Sequence, residues 1–277
     1  MQHLVEWVSS HFAFFPPSPP TYKLEHHRDG AQELYIHSLL PGVSGPINGC
    51  RVLQLDTRRS KSVVAAHIFR GKGRPTVLFS HGNAVDLGQM LPHCKALCSR
   101  LNCNMLCYDY SGYGMSYKQE GEKPSVSDTY ADIDACYQWL LKEGTQPHDI
   151  ILYGQSVGSG PTVHLAARTS GLAGIILHSP ISSGMRVLKP NWSRWPEKLD
   201  VYTNAALIGK VDAPALIIHG TADSVVPIEH GQTLHRLCKQ PSEPLWASGH
   251  DHDDVELSNQ YLPRLQAFLK QVRHDNS

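Results

Sequence analysis

The chain has 277 residues, and its 25 Lys and Arg offset its 25 Asp and Glu, so no bulk charge draws it to nucleic acid or to an anionic membrane. A hydrophobic content of 41% suits a soluble globular protein with a full core, and no stretch of about 20 apolar residues is present to span a bilayer. Seven cysteines, an odd number with several inside apolar runs such as Met105-Leu106-Cys107-Tyr108, read as buried free thiols in a reducing, cytoplasmic setting.

The N-terminal stretch is not a signal peptide by pattern: no Lys or Arg leads it, and Glu6 and His11 interrupt its apolar run. At helical spacing, Leu4, Trp7, Val8, Phe12 and Phe15 form one stripe. Two readings fit: a helix docked on the body of the protein, or peripheral membrane contact through residues 1–15, which the lack of any Lys or Arg before Lys23 weakens. The run Pro16-Pro17-Ser18-Pro19-Pro20 then ends any helix and extends the chain. Residues 1–22 are therefore expected as an amphipathic and Pro-rich segment, and residues 23–273 as one domain.

Beyond residue 50, short β-branched runs alternate with helical periodicity, the pattern of a largely parallel sheet. Residues 52–55 and 63–69 sit close together and read as an antiparallel start. Six further strands, 76–80, 105–110, 150–153, 174–178, 215–219 and 244–246, complete an eight-stranded, mostly parallel sheet with helices on both faces. Helices are expected near 87–100, 126–142, 157–168, 229–239 and 258–272. The last carries Tyr261, Leu262, Leu265, Phe268 and Leu269 at core-facing spacing. The connection 179–212 is longer than a crossing requires and holds Met185, Val187, Leu188, Trp192 and Trp195 among prolines. It reads as a short lid with apolar residues turned toward a hydrophobic substrate.

Directly after Ile150-Ile151-Leu152-Tyr153 comes Gly154-Gln155-Ser156-Val157-Gly158. This G-x-S-x-G follows a strand and opens a helical segment, the context of a nucleophile elbow. A turn that tight needs small residues on both sides of Ser156, and it sets Oγ at a helix N-terminus, where developing negative charge is favoured. A serine hydroxyl is a weak nucleophile at neutral pH, so it requires a base, and the base an orienting acid.

The acid is expected at Asp223, where Ile217-Ile218-His219-Gly220-Thr221-Ala222 runs from a strand into a turn at the carboxyl edge of the sheet. Asp109 also ends a strand, but it precedes the serine and is expected to support the loop Tyr110-Ser111-Gly112-Tyr113-Gly114. Gly249-His250-Asp251-His252-Asp253-Asp254 offers two candidate bases, His250 and His252, which local chemistry does not separate. Its H-x-H-x-D pattern also suggests a metal cluster, but Val255 stands where a further histidine would be needed, so no metal and no cofactor is expected. Two backbone donors would hold the oxyanion: the N–H of Val157 and that of Asn83, in Ser80-His81-Gly82-Asn83-Ala84, with Gly82 turning the chain.

With these pieces placed, the sequence resembles the α/β-hydrolase domain-containing protein 17 family, including its plant and algal members. The likeness runs from about Phe12 to Phe268. It rests on Phe15-Pro16-Pro17 with Pro20-Thr21-Tyr22, on Ser80-His81-Gly82-Asn83-Ala84, on Tyr108-Asp109-Tyr110-Ser111-Gly112-Tyr113-Gly114 and on Tyr153-Gly154-Gln155-Ser156-Val157-Gly158-Ser159-Gly160-Pro161. Leu177-His178-Ser179-Pro180 and Glu243-Pro244-Leu245-Trp246 add to it. The resemblance implies an α/β-hydrolase fold and a serine hydrolase whose animal relatives remove palmitate from cysteines of membrane-attached proteins. It also implies His252 as the base, by its spacing from Trp246 and by the Asp253-Asp254-Val255-Glu256-Leu257 that follows. Two departures stand out. Asp251 occupies a place where the family has an uncharged residue, and no cysteine precedes Cys50, whereas animal members carry a lipidated N-terminal cysteine cluster.

The expectation is thus an acyl-enzyme mechanism on Ser156, Asp223 and His252, acting on an acylated protein or a small acyl ester or thioester. Rivals are a general carboxylesterase, lipase or serine peptidase of the same fold, and a non-catalytic binding protein that keeps the pocket.

Overall fold

Along the central strands, successive apolar side chains turn to opposite faces, and both faces are buried. Ala65, Leu78, Leu152 and Ile217 belong to one layer of the core, while their neighbours Val64, Val77, Ile151 and Ile218 belong to the other. A strand buried on both sides favours apolar residues at successive positions, which is why these runs read as continuous rather than alternating. Each buried Val, Leu or Ile side chain contributes about 1.5–3 kcal/mol relative to leaving it in water.

The structure, a computed structural model, describes residues 14–26, 34–116, 123–188 and 200–274. In chain order, β1 (Tyr22–His26), β2 (Leu34–Ser38) and β3 (Gly45–Ile47) form a small antiparallel sheet. The large sheet begins with β4 (Arg51–Asp56) and β5 (Ser62–Ile68) and continues with β6 (Thr76–Ser80), α1 (Leu87–Leu101), β7 (Asn104–Tyr108) and α2 (Val126–Lys142). There follow β8 (Ile150–Gln155), α3 (Ser159–Ala166), β9 (Gly174–His178), and the short helices α4 (Gly184–Leu188) and α5 (Asn204–Leu207). The chain ends with β10 (Ala215–Gly220), α6 (Glu229–Leu237), β11 (Leu245–Ala247) and α7 (Tyr261–His274).

The eight strands lie in the order β11-β10-β9-β8-β6-β7-β5-β4. The pairs from β11 through β7 are parallel, and β5 and β4 close the edge antiparallel. Helices α2 and α3 cover one face through Ile133, Leu140 and Val163. Helices α1 and α7 cover the other through Leu91, Leu97, Leu265 and Phe268. This is the α/β-hydrolase arrangement, with the eight strands expected from the sequence shifted by no more than two residues at either end.

The three-stranded sheet was not foreseen. Its strands read Tyr-Lys-Leu-Glu-His, Leu-Tyr-Ile-His-Ser and Gly-Pro-Ile, short and half polar, so neither period nor length marks them. Tyr22 and Ile36 bury themselves in the α1 face and give the small sheet its footing. The apolar stripe of residues 1–13, together with Trp192 and Trp195 of the expected lid, lies outside the described residues. Among the described residues, no helix is long and apolar enough to cross a membrane.

Candidate active site

The carboxyl edge of the sheet gathers every residue the sequence singled out for chemistry, as the fold class dictates. Ser156 leaves β8 in a tight 3-10 turn, Ser156–Gly158, and itself adopts the left-handed conformation at φ +50°. An L-residue there is strained, and the surroundings enforce it. A Cβ on Gly154 would stand 2.5 Å from Thr162 Oγ1 and 2.6 Å from the Gly158 carbonyl oxygen. One on Gly158 would collide with the Ser80 carbonyl oxygen and lie 2.7 Å from that of His81. Both glycines of the motif are thus required by close approach of backbone, Gly158 against the neighbouring strand end.

His252 Nε2 lies 3.0 Å from Ser156 Oγ, and its Nδ1 lies 2.8 Å from Asp223 Oδ2. The carboxylate can only accept, so Nδ1 carries the proton and Nε2 faces the serine hydroxyl as an acceptor. Asp223 in turn accepts at Oδ1 from the backbone N–H groups of Val225 (3.0 Å) and Val226 (2.7 Å). His219 Nε2 approaches Oδ2 at 3.1 Å and the Val226 carbonyl oxygen at 2.8 Å. Burial alone would push the Asp223 carboxyl up, but hydrogen bonds from His219, His252 and the Val226 N–H hold it well below the usual carboxylate range. Ser156 and Asp223 are each 8% exposed. That leaves just enough access for a reacting group at the serine.

The histidine loop is latched to the aspartate loop. Thr221 N–H donates to the Ala247 carbonyl, Ala222 N–H to that of His250, and Gly249 N–H to Thr221 Oγ1. A Cβ on Gly220 would collide with the His250 carbonyl oxygen, so the strand-end glycine admits the loop. Asp251 caps the join, accepting from Ser224 N–H at 2.7 Å and from the His252 N–H at 2.7 Å. The unusual carboxylate thus binds backbone rather than the imidazole. His250, the other candidate base, pairs with Asp254 at 3.2 Å on its own loop. Among the described residues, no group of three or more His, Cys, Asp and Glu side chains is arranged to hold a metal ion.

Asn83 and Val157 both line the cavity beside Ser156. The sharp turn expected at Gly82 falls instead at Ala84, which takes φ +58°, whereas a Cβ on Gly82 would meet only ordinary contacts at 3.7 Å and beyond. The Asn83 side-chain oxygen accepts from the Ala84 N–H at 3.0 Å and from the Tyr113 hydroxyl at 2.6 Å, which fixes this loop against the next one. Asp109 supports the loop after β7 as expected, through Tyr22, whose hydroxyl receives the Met115 N–H at 3.1 Å, and it does more. Its carboxylate accepts from the Tyr22 hydroxyl (2.7 Å) and the Leu87 N–H (2.9 Å), so it holds β1 and the start of α1. The loop after β7 is also held by Asp132, which accepts from the Ser111 N–H at 2.8 Å and hydroxyl at 2.7 Å. A helix aspartate 21 residues downstream carries no local signal of that pairing.

A cavity of about 430 Å³ opens over Ser156. Its walls are mostly apolar: Val85 and Met90 from the α1 side, Ile181, Val187 and Val201 from the long connection, and Val226 beside Asp223. The connection expected as a lid therefore supplies one wall. Ser159, one turn of chain past the nucleophile's strand, ties it down: its Oγ donates to the Ser156 carbonyl (2.6 Å) and accepts from the Ile181 N–H (3.1 Å).

Sheet, elbow and the hydrogen-bonded Ser156, His252 and Asp223 define an α/β-hydrolase. Comparison with known proteins agrees. The profile of the family described as "Serine aminopeptidase, S33" matches residues 71–200. The human α/β-hydrolase domain-containing protein 17B is 42% identical over 95% of this chain and 91% of its own length. Its counterpart in Xenopus tropicalis is 43% identical over the same shares. Among solved structures, an esterase of Pyrococcus furiosus superposes with a TM-score of 0.65 at 18% identity, covering 80% of this chain and 92% of that one. The chain belongs to the α/β-hydrolase domain-containing protein 17 family.

Proposed function

We propose that the protein is a serine hydrolase that cleaves acyl thioesters or esters through an acyl-enzyme, with S-acylated cysteines of proteins, palmitoylated ones above all, as its substrates. The observation that carries this reading is the chain of hydrogen bonds Asp223–His252–Ser156, at 2.8 and 3.0 Å, opening into an apolar cavity of about 430 Å³. Pockets of that order bury most of a small ligand, and an apolar lining favours an alkyl chain over a peptide.

In this mechanism His252 Nε2 takes the Ser156 proton as Oγ bonds to the substrate carbonyl carbon. The N–H groups of Asn83 and Val157 receive the oxyanion. Collapse breaks the carbon–sulfur or carbon–oxygen bond, and the leaving group departs with the proton from His252. Water then attacks the acyl-enzyme, giving up a proton to His252, and the fatty acid leaves as Ser156 regains its hydrogen. Asp223 holds the imidazole in the tautomer that each step needs.

Labelling with a lipid-tailed fluorophosphonate, in wild type and Ser156→Ala, with and without a palmitoyl-thioester competitor, tests the proposal. Serine-dependent labelling that the thioester blocks is expected. Labelling that short esters or aminoacyl substrates block better would make it a general esterase or peptidase, and an unlabelled wild type would leave only a binding role.

A further inference from the structure

We infer that residues 14–22, ahead of the domain as the sequence delimits it, form a strap that walls the substrate cavity, and that Phe15 selects for acyl-chain length. This rests on the acyl-hydrolase reading above and names a determinant of it.

The strap is pinned at both ends to the loops that build the site. At its start Phe14 is 5% exposed, and its ring meets those of Tyr113 and Tyr202 edge-on, each with centroids 6.4 Å apart. Tyr113 lies in the loop after β7 and Tyr202 in the connection over the cavity, so one side chain clamps both. The Phe15 N–H donates to the Asn83 side-chain oxygen at 2.9 Å, the atom that also receives Tyr113. At its other end the Thr21 N–H donates to Asp86 Oδ2 at 2.8 Å, its hydroxyl bonds Asp86 as well, and the Tyr22 hydroxyl reaches Asp109. Asp86 is the N-cap of α1, so the strap is fastened to a helix terminus that cannot shift freely. Between the two ends stand four prolines, Pro16, Pro17, Pro19 and Pro20, which restrict the backbone and lower the entropy lost on docking.

Held this way, the Phe15 side chain lines the cavity while remaining 57% exposed. Val225, which also lines it, is 54% exposed. Two large apolar side chains half in water at the mouth of an apolar cavity are stabilised only when something apolar covers them. A short acyl group attached to Ser156 would fill the inner wall formed by the buried side chains of Ile181, Val201 and Val226. A long one continues to the mouth and lays its distal methylenes on Phe15. The ring therefore contributes in proportion to how much chain extends past the inner wall.

The test compares hydrolysis of 4-nitrophenyl butyrate and 4-nitrophenyl palmitate by wild type, Phe15→Ala, Phe15→Leu and the control Phe69→Ala, an exposed aromatic that lines a separate hollow. Binding of octanoate and palmitate to the same proteins is measured in parallel. The ratio of kcat/KM for palmitate over butyrate should fall about tenfold or more in Phe15→Ala, recover in part in Phe15→Leu, and hold in Phe69→Ala. Palmitate should lose affinity by more than octanoate does. An unchanged ratio, or equal losses on both esters, would overturn the inference and leave Phe15 a mere fastening for Asn83. Should wild type hydrolyse neither ester, the hydrolase reading fails, while the fatty-acid affinities still decide whether Phe15 grips the distal chain.

Discussion

His219 and His252 meet the same carboxylate oxygen, Oδ2 of Asp223, from 3.1 and 2.8 Å. With the two backbone donors on Oδ1, the Asp223 carboxylate is surrounded by four donors and has one orientation. His219 touches no part of the cavity, so it acts through Asp223 as a positioning residue. His219→Leu should lower kcat about tenfold with little change in KM, and it should also cost stability, since the buried Val226 carbonyl loses its partner. His219→Gln keeps a side-chain donor and should restore part of kcat. Equal kcat in both variants would remove the positioning role.

Between the two histidines of the last loop the geometry is decisive. His252→Ala should reduce turnover on the order of a million-fold, as removal of a triad base does elsewhere. His250→Ala breaks only a 3.2 Å contact with Asp254 and should stay within a few-fold of wild type. Steady-state kinetics of the two variants, side by side, checks the assignment.

Gly158→Ala should fail by collision rather than by chemistry. The added methyl would meet the carbonyl oxygens of Ser80 and His81 at the end of β6, the segment leading into Asn83. Loss of fluorophosphonate labelling together with a fall of a few kcal/mol in stability is expected. A variant that keeps wild-type stability and labelling would show that the elbow can open.

Asp132 gives the fold a pH dependence of known sign. Burial raises its carboxyl to about 8, against 3.8 for the free side chain. Below pH 4 both folded and unfolded forms hold the proton and its contribution is intact. From there to about pH 8 the unfolded chain releases the proton while the fold retains it, so this contribution declines as pH rises. Asp132→Asn removes the titration and can still accept from the Ser111 N–H. Its thermal midpoint should gain on wild type steadily between pH 5 and pH 8, and parallel curves would refute the assignment.

The large sheet was legible because a strand buried on both faces carries an unbroken apolar run through its middle; Thr76–Ser80 and Gly174–His178 carry the bounds read from the residues alone. The elbow was legible for the same reason in reverse, since close backbone approach at Gly154 and Gly158 permits only glycine. What escaped notice was long-range and polar. Asp132 holding Ser111 and Phe15 meeting Asn83 join side chains to backbone 21 and 68 residues away, and His219 bracing Asp223 links two side chains across a turn that follows no helical or strand period. The β1–β3 sheet escaped because a single buried apolar residue in β1 and in β2, Tyr22 and Ile36, and none in β3, is too little signal.

The latch between the aspartate and histidine loops also fixes when this protein can first act. Ser156 and His252 are 96 residues apart in sequence, and the histidine follows the last strand of the sheet. A chain emerging from the ribosome has made the residues of its elbow and of the Asp223 turn before the base exists. At about 5–20 residues per second, several seconds separate synthesis of the serine from that of its histidine. During that interval the serine has no base beside it, so its hydroxyl stays unactivated until the chain's own last loop folds back.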